Sequence, residues 1–113
     1  SGNLEEAERL FTEALALDDR WDIRYNRGVT ALELGRLAQA EEDFKLAILR
    51  AAAGGVVPDA ALEARLHAGL AGVLLKRDDL VRAAAETEAA LALDPMNQEA
   101  YWIKGKLEEL SRK

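Results

Sequence analysis

The sequence has no cysteine, a single histidine, two prolines and only 5% aromatic residues. Without cysteine there is no disulfide framework, no thiolate nucleophile and no sulfur metal site. The same absence suits cytosol and periplasm alike; cytosol is favoured and the compartment stays open. Nucleophilic catalysis needs a serine or cysteine within reach of a base. The serines here are Ser1 and Ser111 and the histidine is His67, so no such arrangement can be built, and no enzymatic activity is expected. Long apolar runs are also missing. The longest, Leu66 to Leu75, is ten residues interrupted by His67 and two glycines, against roughly 20 for a bilayer span, so no membrane insertion is expected. Basic residues are outnumbered 15 to 21, a formal charge of -6 that repels both a phosphate backbone and an anionic bilayer, which argues against nucleic acid as a partner. Gly69-Leu70-Ala71-Gly72 is no phosphate loop, having no strand before it and no Lys-Ser/Thr after it. No cofactor and no metal are expected.

What remains is alanine, leucine and charge. The 50% hydrophobic content is mainly Ala and Leu, which are helix formers, and 113 residues suffice to bury roughly 65% of the unfolded surface without staples. An all-α fold is the consequence. Residues 25–48 organise it: Tyr25, Gly28, Ala31, Leu32 and Leu34 recur at helical spacing, and Leu37, Ala40, Phe44, Ala47 and Ile48 do so again. Gly35 between them supplies the left-handed residue that ends one helix and lets the next fold back, predicting an antiparallel hairpin. Gly28, Ala40 and Ala47 let the backbones approach, and Phe44 fills the space left. Such a hairpin cannot bury its stripe alone and needs neighbours of the same kind.

The order of these residues resembles the tetratricopeptide repeat family, whose 34-residue signature has Leu-Gly in the first helix, Ala, Phe and Ala in the second, and Pro at the join. Gly28, Ala40, Phe44 and Ala47 match it, while Arg27 departs from it where Leu is usual. The resemblance implies a right-handed superhelical stack of antiparallel hairpins, an α-solenoid of about six helices, that binds other proteins and does no chemistry.

Along the chain, Ser1-Gly2 reads as a scar of tag removal, and the chain as a piece of a longer protein. Residues 3–20 form a half repeat: Asn3 is an expected N-cap with Glu6 three places on, and Ala7, Phe11 and Ala14 stand 33 residues before Ala40, Phe44 and Ala47. Residues 21–54 form a full repeat whose second helix runs on through Ala53 to Gly54. Residues 55–63 are an insertion or linker, with Asp59 as the N-cap of the helix after it. The period slips here, since Ala40 to Ala83 is 43 residues, so one of the adjoining helices must be extended. Residues 64–97 form the next repeat, with Leu70-Ala71, Ala83, Thr87, Ala90 and a closing Leu93-Asp94-Pro95; Thr87 in place of an aromatic predicts a looser contact. Residues 98–113 are a final or capping helix, with Tyr101 and Gly105 in register. Asp18-Asp19, Glu41-Glu42-Asp43, Asp78-Asp79 and Glu108-Glu109 read as solvated charge. His67 is expected as a half-buried packing residue.

Carrying the family's concave groove over by helical spacing gives Tyr25, Asn26 and Val29 from one hairpin, Arg65, Ala68, Gly69, Gly72 and Lys76 from the next, and Trp102, Ile103 and Lys106 from the last helix. Gly69 and Gly72, mid-helix, are explained either by tight packing or by a shallow trough that accepts an apolar side chain or an amphipathic helix of a partner protein. Trp102 is the leading contact residue. The carboxylate clamp of some family members is not expected: Asn26 matches one clamp position, but Tyr25, Val29, Ala68 and Gly72 stand at the others. A second reading is a spacer that self-associates weakly through its open edges, through Leu4, Phe11, Leu107 and Leu110.

Overall fold

The computed structural model describes residues 2–54 and 59–112. Among these residues there are six α-helices and no strand: α1 (Gly2–Leu17), α2 (Trp21–Glu33), α3 (Leu37–Ala53), α4 (Ala60–Lys76), α5 (Leu80–Leu93) and α6 (Gln98–Ser111). They form two compact units, α1 to α3 and α4 to α6. Asn3 lies inside α1 rather than at its cap, and Glu6 turns to Arg9 instead of reaching back. None of the described helices is long and apolar enough to cross a membrane.

In the first unit α2 and α3 form the expected hairpin. Gly35 has φ +79°, and the Arg36 and Gly35 N–H groups donate to the Ala31 and Leu32 carbonyls at 2.8 and 3.0 Å, closing α2 with a left-handed cap. Gly28 is needed for a second reason: a Cβ there would lie 3.1 Å from the Phe44 ring. Phe44 fills the hairpin, its ring 5.6 Å from that of Tyr25 and tilted by 56°, among buried Ala31, Ala40 and Ala47. Helix α1 packs on α2 alone and has no buried residue.

The extension required by the slipped period is shared: α3 and α4 are each 17 residues. The Gly55-Val56-Val57-Pro58 part of the expected linker lies outside the described residues. Asp59 caps α4 by accepting from the Leu62 N–H at 2.9 Å, and since α4 starts at Ala60, residues 60–63 are helical. Helix α4 is the centre of its unit, with Leu66, Leu70, Val73 and Leu74 buried, and packs on both α5 and α6. It ends on the same left-handed cap as α2, built on Asp78 with φ 64° and with the Asp79 N–H donating to the Leu74 carbonyl. At the far end of α5, Asp94 is extended, as a residue before proline must be, and Asn97 caps α6 on the Ala100 N–H at 2.8 Å.

Candidate functional site

Sequence reasoning put Asp43 and Asp19 on a solvated face; the structure buries Asp43 and leaves Asp19 partly exposed but ion-paired. Asp43 has no exposed side-chain surface. It falls between Ala40 and Ala47 on the inward stripe of α3, where a carboxylate needs partners. Arg27 donates to both its oxygens, Nε at 2.9 Å and Nη2 at 2.8 Å, while Arg24 Nη1 and Gln39 Nε2 add bonds at 3.1 Å each. Arg24 continues to Asp19 with a second forked pair at 2.8 and 3.0 Å, and Asp19 also accepts from Arg50. Arg24's hydrogen bonds outweigh the partial burial of Asp19 and, with Arg50, hold its carboxyl down at about 2. Arg27 thus occupies the usual Leu place because its partner is Asp43. The network joins α2, α3 and the α1–α2 turn, and Arg27 Nη1 reaches Thr12 Oγ1 of α1 at 3.2 Å. All its members are satisfied, so it is structural.

Of the expected groove residues in the first unit, Asn26 is exposed and Tyr25 and Val29 are half-buried along α2. In the second unit the residues divide. Ala68 is fully buried in a cluster with Ala64, Ala90 and Ala100, Gly69 is buried, and Ile103 is 1% exposed. A Cβ on Gly72 would lie 3.8 Å from Ile103 Cδ1. The small residues of α4 therefore receive α6, which fills the expected trough, and Ala68, Gly69 and Ile103 offer a partner no surface. Arg65 and Lys76 lie at the surface of α4, both exposed. Glu99 of α6 loses hydration against packed atoms, which raises its pKa, and Arg65 opposes this.

Trp102 is 60% exposed, with the Lys106 ammonium 5.5 Å from its ring centroid. Together they line an open hollow between the C-terminal ends of α4 and α6, with Leu75, Glu109, Leu110 and Arg112. Its rim is cationic at Lys106 and Arg112 and acidic at Glu109, and its floor is apolar. Leu75 was missed by sequence reasoning and Leu110 was assigned only to the self-associating edge, although both lie one helical turn beyond groove residues that were chosen, Gly72 and Lys106.

His67 is half-buried as expected, and its Nδ1 meets Glu86 Oε1 of α5 at 2.6 Å, a pairing that helical periodicity does not reveal. No group of metal-binding side chains occurs among the described residues. Thr87 is buried, its hydroxyl donating to the Ala83 carbonyl at 2.7 Å, and it borders a hollow between α5 and α6 where an aromatic ring would have reached.

A model described as tetratricopeptide repeat matches residues 1–56. No curated protein matches the chain. Among solved structures the fold is similar to that of the second TPR domain of human RPAP3, determined by NMR in complex with the HSP70 peptide SGPTIEEVD. The two chains are 23% identical, the match covers 95% of this chain and 82% of that one, and the TM-score is 0.80.

Proposed function

Since this chain belongs to the tetratricopeptide repeat family, we propose that it is a protein-interaction module holding a peptide or amphipathic helix of another protein, with Trp102 as its principal contact. The observation that carries this reading is the exposure of Trp102 beside Leu75 and Leu110. A large flat side chain over an apolar floor, with cations at the rim, has the composition of an interface anchor. Arg65 and Lys76 of α4 supply polar contacts in the same unit as Trp102. The parent protein is then a scaffold or assembly factor. The peptide-bound RPAP3 domain adds support for a protein ligand, but a ligand of different chemistry. Tyr25, Val29, Ala68 and Gly72 stand where a two-carboxylate clamp needs donors, so the partner is recognised through an apolar side chain rather than a C-terminal carboxylate.

The test compares capture of partners from a lysate of the source organism by the parent chain and by Trp102→Ala, after circular dichroism shows both equally helical. Trp102 is exposed, so the substitution leaves the fold intact, whereas a side chain longer than alanine at Gly72 would press on Ile103. The expected result is a partner held by the parent and lost by the variant. Equal retention would move the contact to another face. A labelled SGPTIEEVD peptide should bind no better than its C-terminally amidated form.

A further inference from the structure

We infer that the hollow beside Trp102 takes an acidic peptide, with an apolar side chain laid against the ring and Asp or Glu next to it. The inference rests on the reading of that hollow as the partner site and adds the partner's charge. Both walls are helices of the second unit, Leu75 standing on α4 and Trp102, Lys106, Glu109, Leu110 and Arg112 at or beyond the end of α6. Its charged residues are two cations and one acid, so the hollow is locally positive in a chain whose formal charge is -6.

Lys106 is the residue that points to an acid. Cations settle readily in the last turn of a helix, where they meet the free carbonyls, but the last turn of α6 has no basic residue and Lys106 stands before it. Its ammonium lies instead 5.5 Å from the Trp102 ring centroid and 3.5 Å from Glu109 Oε2. A cation is thus held beside the apolar floor, where it meets a carboxylate that follows an anchor side chain onto the ring. Glu109 is the one acid lining the hollow among the described residues, and its side chain is 63% exposed. So open a pair is weak, and a partner's carboxylate can displace Glu109 from it. Arg112, at the C-cap of α6, supplies the second cation. A basic peptide would meet two like charges here. The acidic remainder of the chain opposes an acidic peptide only at long range, and at about 0.1 M ionic strength charges more than about 10 Å away are largely screened.

The test selects a displayed library of random linear peptides on the immobilised chain. The strongest binder is synthesised with both termini blocked, and again with its Asp and Glu changed to Asn and Gln. Titration calorimetry then compares the two peptides on the parent, Trp102→Ala, Arg112→Gln and Glu109→Gln, all of them substitutions at exposed positions. The selected peptides should carry Asp or Glu beside Leu, Ile, Phe or Trp, and the amide form should bind more weakly. Arg112→Gln should weaken the acidic peptide and Glu109→Gln should strengthen it, each by about two- to five-fold, with neither change felt by the amide form. A binder that needs Trp102 but ignores its own acids and both charge variants would overturn this inference and leave the site standing. Binding that survives Trp102→Ala, or a library that yields no binder, would overturn both.

Discussion

The residue that decides most in this molecule is Asp43. A carboxylate with no exposure is tolerable only because four hydrogen bonds surround it, and removing it takes from Arg27 its carboxylate partner in a partly buried site and leaves Arg24 with Asp19 alone. Asp43→Ala should therefore destabilise the chain by about 3 kcal/mol or more in urea denaturation. Arg27→Leu together with Asp43→Leu should cost less than the single change, because a matched apolar pair leaves no orphaned charge. The position was misread because a charge run looks alike inside and out. The available signals were its place on the Ala40–Phe44–Ala47 stripe and the arginine at a position that is usually leucine. A second residue carries strain of its own. Asp78 holds φ 64°, a conformation that glycine adopts freely, so Asp78→Gly should raise stability by about 0.5–1 kcal/mol. Gly35 at the equivalent turn was readable because it is glycine; Asp78 gave no such signal.

At the scale of elements, Asp19 fastens the α1–α2 turn to both neighbouring helices through Arg24 and Arg50. Its carboxyl titrates at about 2 in the folded chain, below an unfolded value of roughly 3.9. A depressed folded value means that the stabilisation is complete above about pH 5 and is lost as pH falls towards 2. With 31% of the side chain exposed, solvent screening leaves about 1–2 kcal/mol of it. The stability gap between the parent and Asp19→Asn should accordingly be of that size at pH 7 and should close towards pH 2. A gap independent of pH would contradict the assignment. The helices themselves were legible: the repeated Ala, Phe and Ala positions set their register, and α6 begins at Gln98, where the final helix was expected. What the spacing could not give was the start of α1, where Asn3 has the chemistry of a cap but the helix begins before it, and the pairing of His67 with Glu86, which depends on the rotation of α5 against α4.

Across the molecule, the described residues form six helices of repeated pattern in two packed units. Helical periodicity identified the face of each first helix but not what covers it. Ala68 and Gly69 lie on the expected face, yet α6 packs across it with Ala100 and Ile103 and closes the trough. Trp102, one residue along from Ile103, escapes burial because the rotation per residue carries it past the contact. The proposed working surface therefore lies at the α4–α6 ends, around Trp102 and Leu75, rather than over the glycines.

The central claim is that this surface holds the partner, and the two tryptophans allow it to be tested directly. Trp102 lies at the proposed contact, and Trp21, half-buried at the start of α2, belongs to the other unit. Each indole N–H gives its own signal in a nitrogen–proton correlation spectrum. When the chain is titrated with a peptide selected for binding to it, the Trp102 signal should shift saturably while the Trp21 signal holds still. A peptide that saturates the chain and leaves the Trp102 signal in place would contradict the account.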